Sequence, residues 1–165
     1  FGDLTRTVRG AGAQVNSPVR GVLGGGAPST QTTMDFITIP TLGDAQDFGD
    51  LSVGRDLAAG GSNATRGIYA GGRTPSDSDV IDYITIATTG NAVDFGNLLA
   101  AGYMGDGGSA TSSTRMVLSG IIVSPAFTDT IQYLTIQTQG DTVDFGNLSE
   151  AKDTNSTFSN AHGGL

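Results

Sequence analysis

The sequence predicts an all-β fold built from repeated four-stranded antiparallel units, and three observations carry that prediction. The stretch Ile86 to Leu98, reading Ile-Ala-Thr-Thr-Gly-Asn-Ala-Val-Asp-Phe-Gly-Asn-Leu, returns at 39–51 and 136–148, and Phe1-Gly2-Asp3-Leu4 echoes its end. The composition suits turns and strands: there are 26 glycines, and Glu150 is the single glutamate in an otherwise Asp-based acid set. Asp favours turns and Glu favours helices, so this skew argues for β structure. Finally, Val80 to Ala87 reads as a strand with apolar residues on both sides, Ile81, Tyr83 and Thr85 facing one way and Asp82, Ile84 and Ile86 the other. A sheet with one wet face would alternate apolar and polar, whereas a small sheet stacked between two neighbours would not.

The repeat orders the rest of the chain. Phe1, Phe48, Phe95 and Phe145 are spaced by 47, 47 and 50 residues. Two further anchors keep their order between them: Arg20-Gly-Val-Leu-Gly-Gly25, Arg66-Gly-Ile-Tyr-Ala-Gly-Gly72 and Arg115-Met-Val-Leu-Ser-Gly120, then Asp35-Phe36, Asp82-Tyr83 and Gln132-Tyr133. Units therefore run over 1–47, 48–94 and 95–144, with a partial fourth at 145–165. In the second unit a first strand is expected around Ser52 to Ala58, followed by a turn at Gly60-Gly61-Ser62-Asn63. Arg66 to Ala70 is the second strand, Arg73 to Asp79 a polar loop, and Val80 to Ala87 the third strand. Gly90-Asn91 turns the chain into a fourth strand ending near Phe95.

A four-stranded unit of this length, apolar on both faces, matches the blade of a β-propeller, so the expected architecture is a propeller-like array of about three and a half blades. The repeat resembles the kelch family. It shares a second strand ending in Gly-Gly (Gly24-Gly25, Gly71-Gly72), a polar loop, an aromatic on the third strand (Phe36, Tyr83, Tyr133) and a closing aromatic on the fourth (Phe48, Phe95, Phe145). It departs in having Phe where kelch has Trp, and a longer spacing between the two aromatics. Residues 81–97 are also similar to the Asp-Phe-Gly repeats of phage tail-fibre and virion structural proteins. That resemblance implies a virion surface or appendage protein with no catalytic residues.

Charge and composition narrow the partners. A formal net charge of −8 without a basic patch argues against nucleic acid and anionic membranes. Cysteine is absent, which removes thiolate chemistry and cysteine-held zinc. No apolar run approaches the roughly 20 residues of a membrane span, so membrane insertion is not expected.

Several short patterns invite chemistry. Asp-Phe-Gly is the magnesium-binding triplet of protein kinases, but here it recurs three times without the accompanying kinase motifs, and a structural role is expected. In that role Phe48, Phe95 and Phe145 pack between blades, and the glycine admits the turn to the next unit. The oxygen-bearing sets Asp44/Asp47/Asp50, Asn91/Asp94/Asn97 and Asp141/Asp144/Asn147 suit either hairpin turns or Ca²⁺, which takes six to eight oxygen ligands. Arg20, Arg66 and Arg115 recur alongside Asp47, Asp94 and Asp144, which suggests an ion pair within a blade or between blades or, failing that, two solvated rim charges. His162 stands alone. The sequons at Asn63, Asn147 and Asn155 matter only for a glycosylated protein, and Asp106-Gly107-Gly108-Ser109 precedes no helix that would cradle a phosphate.

The functional expectation is a non-enzymatic structural or recognition protein outside the cell, on a virion surface or tail fibre, without a cofactor. The alternative is a bacterial extracellular filament subunit or adhesin. Self-association, other virion or surface proteins, and a cell-surface glycan are the expected partners. Propellers also host enzymes, and unseen blades would have to supply the reactive groups. The loops at 73–79 and 120–128 are candidates for variable contacts. Ile121 to Val123 is expected to extend the second strand of its unit, the rival being an exposed apolar patch from Ile121 to Phe127. Ser159 to Leu165 aligns with Ser62 to Ile68, so the chain is expected to be a window onto a longer array, or one completed by another chain.

Overall fold

A computed structural model describes residues 2–9, 13–105 and 108–152, and among these every regular element is a strand. The first sheet is an antiparallel meander of β1 (Gln14–Asn16), β2 (Arg20–Gly24), β3 (Thr33–Thr38) and β4 (Gln46–Asp50). The second holds β5 (Ala59–Ser62), β6 (Arg66–Ala70), a short β7 (Arg73–Thr74), β8 (Ser76–Thr85) and β9 (Val93–Gly102), with β8 pairing to β6, β7 and β9. The third repeats the meander with β10 (Gly108–Thr111), β11 (Arg115–Ser119), β14 (Thr130–Thr135) and β15 (Val143–Asn147). Between β11 and β14 a separate hairpin forms from β12 (Ile122–Val123) and β13 (Ala126–Phe127).

The turns recur because the residues that make them recur. Between strands one and two, a short polar side chain accepts the backbone N–H of the arginine three residues on: Ser17 Oγ from Arg20 (3.1 Å), Asn63 Oδ1 from Arg66 (2.8 Å) and Ser112 Oγ from Arg115 (3.0 Å). After strand three, the N–H of Thr41, Thr88 and Thr138 donates to the carbonyl of Thr38, Thr85 and Thr135. Strand two ends at a left-handed glycine in all three sheets, Gly25, Gly71 and Gly120, with φ of 71°, 63° and 71°. The recurrent glycine of the third sheet is thus Gly120, and the doublet of the first is Gly25-Gly26.

Two apolar clusters tie the sheets together. One joins Val15, Val22, Met34, Phe36 and Phe48 of the first sheet to Tyr69, Ile84 and Ile86 of the second. The other joins Ile68, Ile81, Phe95 and Leu98 of the second to Met116, Leu118, Leu134 and Ile136 of the third. Strand three is thus buried on both faces, as its residue pattern requires. Burial of Tyr69 raises its phenol well above the ordinary value, so it stays neutral.

Local pattern misplaces several boundaries. The expected strand at 52–58 is a connector, and the strand lies at β5, through Gly60 and Gly61, which read as a turn. Those glycines mark close approach between sheets: a Cβ on Gly60 would meet Gln14 O at 2.4 Å, and one on Gly61 would meet Met116 Sδ at 2.7 Å. The polar loop 73–79 is a hairpin, because Pro75 turns β7 directly into β8, which starts earlier than Val80. Strand four runs on to Gly102 rather than ending near Phe95. Ile121 to Val123 does not extend β11. Ile121 instead joins the second cluster, Ile122 is buried and pairs with Tyr103, and Phe127 is left exposed.

Candidate functional site

The recurring phrase is the site. In each sheet the pairing of strands three and four slips at the same place, between Met34 and Asp35, Ile81 and Asp82, and Ile131 and Gln132, and the longer second sheet slips again between Ser78 and Val80. Met34 pairs with Gly49 and Asp35 with Asp47, which leaves Phe48 as the extra residue of a β-bulge; Phe95 and Phe145 occupy the same place. Asp-Phe-Gly is therefore a bulge inside strand four rather than a hinge to the next unit. Its glycine has φ of 137° at Gly49, 150° at Gly96 and 141° at Gly146.

The bulge turns one carbonyl out of the ladder, and the next repeat uses it. Gly90 N donates to Phe48 O (2.7 Å) and Ala92 N to Asp50 O (2.8 Å), while Asp50 N donates to Asn91 Oδ1 (3.1 Å). One repeat later, Gly140 N donates to Phe95 O (2.8 Å) and Thr142 N to Asn97 O (2.9 Å), while Asn97 N donates to Asp141 Oδ1 (2.9 Å). Residues 2–4 make the same contact with the first sheet, Ala45 N donating to Asp3 O (2.9 Å) and Asp3 N to Asp44 Oδ1 (3.0 Å). Backbone approach is close enough that a Cβ on Gly49 would lie 2.5 Å from Gly90 O, and one on Gly96 2.4 Å from Gly140 O. Asp44, Asn91 and Asp141 thus act as side-chain acceptors across the junction. No group of three or more His, Cys, Asp or Glu converges among the described residues.

Each aromatic pair sits edge-on within its own sheet: Phe36–Phe48 at 5.9 Å, Tyr83–Phe95 at 6.0 Å and Tyr133–Phe145 at 6.0 Å between centroids. Arg20, Arg66 and Arg115 lie over the strand-three rings at 4.6, 4.3 and 4.8 Å. Two of them reach into the following repeat, Arg20 Nη1 donating to Ile86 O (3.1 Å) and Arg66 Nη1 to Ile136 O (2.9 Å). The expected ion pairs with Asp47, Asp94 and Asp144 do not form. Those carboxylates are exposed, and the arginines recur because they clamp a ring and a neighbouring carbonyl. Arg66→Ala should accordingly cost about 1–2 kcal/mol and Arg115→Ala, whose one partner among the described residues is its ring, about 0.5 kcal/mol. Parallel urea melts of the two variants check the difference.

The buried charge lies elsewhere. Arg55, from the connector after β4, pairs with Asp82 on β8, and both side chains are wholly buried. Arg55 also donates to Val80 O (2.7 Å), and Ser52 donates to Asp82 through N (3.1 Å) and Oγ (2.6 Å). Burial lowers the guanidinium pKa, and the charge of Asp82 and its hydrogen bond oppose that shift. Arg6 and Asp35 form the matching pair at 3.1 Å in the first sheet, with Thr5 bonded to Asp35. In the third sheet Gln132 takes this place, bonded by Thr142 and by Leu99 N (3.1 Å). Sequence reasoning missed Arg6 and Arg55. The usable signal was an Asp on the same face as Ile84 and Ile86, where an unpaired carboxylate is costly.

Two loops clamp one another beside this core. Arg73 lies 4.1 Å over Tyr103, and Ser124 N donates to Asp77 Oδ2 (2.7 Å). At Asp77 the desolvation of the carboxyl is outweighed by bonds from Ser124 and Arg73, and its pKa is lowered. Asn63 is committed to its turn and to Ser113 O (3.0 Å), and Asn147 donates to Asp129 Oδ2 (3.1 Å). Phe1, Asp106-Gly107, Asn155, His162 and the partial unit from 153 onward lie outside the described residues. No family model and no curated protein matches this sequence.

Proposed function

We propose that the chain is a non-enzymatic structural module, a propeller-like array of four-stranded blades that works by stacking repeats. The recurrent junction carries this reading: the same three backbone and side-chain bonds join the bulge of one sheet to the Gly-Asn or Gly-Asp turn of the next. A blade arrangement is supported by the packing at the strand-one end of each sheet. There Gly60 and Gly61 leave room for the neighbouring sheets, and Asn16 N donates to Ser62 Oγ (3.1 Å). A virion surface or tail fibre is the setting that the Asp-Phe-Gly resemblance favours, with a bacterial extracellular filament as the alternative.

Immunogold electron microscopy with antibody against this chain tests the setting. Label on phage tails or fibres supports it, label confined to cell-surface filaments selects the alternative, and label held inside cells overturns both. We also propose that no cofactor is needed. The melting temperature is then unmoved by calcium or by chelator, and a rise with calcium would refute that part.

A further inference from the structure

Each sheet holds a pocket at the same place, between the ring on strand three and the turn into strand four. It measures ≈ 290 Å³ in the first unit, ≈ 320 Å³ in the second and ≈ 200 Å³ in the third. The walls match position by position, Tyr83, Thr85 and Thr88 of the second unit answering to Tyr133, Thr135 and Thr138 of the third. The second unit has a neighbour on both sides, and its pocket is open all the same.

The hydroxyls of that second pocket are idle. Elsewhere short hydroxyls are bonded to protein: Ser62 Oγ donates to Asn16 O (2.9 Å), Ser109 Oγ to Gly60 O (2.6 Å) and Thr128 Oγ1 to Ile121 O (2.7 Å). The hydroxyls of Thr85, Thr88 and Thr89 and the phenol of Tyr83 have no such partner among the described residues. Asn91 accepts Asp50 N through Oδ1, and its amide NH2 is likewise without a partner there. No charged side chain lines the pocket, because Arg66 lies over the Tyr83 ring and gives Nη1 to Ile136 O. Val93, 51% exposed, adds an apolar edge.

A hydroxyl both donates and accepts, and an amide NH2 donates. The ligand that answers this lining is uncharged and carries several hydroxyls on a small carbon ring. A single sugar ring suits a pocket at the low end of the roughly 300–1,000 Å³ of small-molecule sites. We propose that the pocket beside Tyr83 binds a neutral sugar unit of a glycan chain. Thr85, Thr88, Thr89 and Asn91 bond its hydroxyls, and Tyr83 and Val93 contact its carbon skeleton. The third unit repeats the site in a smaller pocket, where Asp141 and the formal net charge of −8 turn away acidic sugars. The first unit is the poorest of the three: Phe36 lacks the phenol, Leu42 stands at the place of Thr89, and Thr41 Oγ1 donates to Thr38 O (3.3 Å). Glycan binding goes beyond the stacking of repeats, since the site needs the second unit and its Phe48 wall and no longer array.

Amide chemical-shift mapping of the isotope-labelled full chain is the test, with glucose, galactose, mannose, N-acetylglucosamine and glucuronic acid as probes. At least one neutral sugar should shift the amides of residues 85–93 saturably, with a millimolar Kd, while glucuronic acid leaves them in place. Thr85→Val combined with Thr88→Val removes two exposed hydroxyls and keeps β-branched side chains, so this variant should melt as the parent does. Its affinity at residues 85–93 should nevertheless fall about tenfold or more, with any response at residues 135–143 unchanged. Thr89→Ala, at an exposed turn position, is the second variant and should weaken binding about threefold. Absence of shifts at residues 85–93 with every neutral sugar overturns the proposal. Unchanged binding by both variants overturns it as well, because the sugar would then not use the hydroxyls. Equal binding of glucuronic acid overturns the selection for a neutral ligand. None of these outcomes depends on where immunogold places the protein, so failure here is distinguishable from failure of the array reading.

Discussion

Arg55→Ala should destabilise the protein by about 3–5 kcal/mol, because it leaves the Asp82 carboxylate buried without its cation. Both side chains are fully buried, so water cannot take over the lost interaction. For a chain of this size the loss corresponds to a fall of roughly 10 °C in melting temperature. A double replacement, Arg55→Met with Asp82→Leu, should recover most of it, since a well-packed apolar pair avoids the desolvation of both charges. The third sheet already works without this ion pair, using Gln132 and Thr142 at the equivalent place. Denaturant titrations of the single and double variants decide the point. A single variant within about 1 kcal/mol of the parent would mean that the pair is not closed off from solvent.

Gly96→Val should cost about 4 kcal/mol, from two sources. Its φ of 150° is a backbone conformation that suits glycine, and imposing a side chain there costs about 1–3 kcal/mol. The new Cβ would also press on Gly140 O, adding about 1–3 kcal/mol as the two sheets are pushed apart. Gly146→Val is the control. Its φ of 141° brings the same backbone cost, but no atom lies within 4 Å of the added Cβ. The difference between the two variants reports the junction alone, and equal losses would remove the close approach as a source of stability.

The sequence makes the repeat, the all-β class and the double-sided burial of strand three legible, because each depends on residues within one unit. Ile81 and Tyr83 on one face and Ile84 and Ile86 on the other can be read from alternation alone. The turn role of Asp44, Asn91 and Asp141 beside glycine is legible for the same reason. What they bond to is not, since the donors Asp3, Asp50 and Asn97 sit more than 40 residues earlier in the chain. Gly60-Gly61 reads as a turn because glycine has two uses, and closeness to Gln14 or Met116 leaves no local trace. Asp-Phe-Gly reads as a strand end because a bulge is defined by its partner strand. The arginines and aspartates that recur together proved to recur for separate reasons. The true pair, Arg55 with Asp82, is hidden because its arginine has no counterpart in the third sheet.

That missing counterpart has a consequence for the order of the repeats. All the junctions share their backbone bonds, so these alone would let any repeat follow any other. The buried polar groups do not share this indifference. Asp82 accepts only a neighbour whose connector brings a cation, and Gln132 suits a neighbour that brings a backbone N–H from Leu99. Exchanging the second and third sheets would bury Arg55 against the amide of Gln132 and leave Asp82 without its cation. The interior therefore carries an address that the common backbone contacts lack, and it tells each sheet which neighbour precedes it.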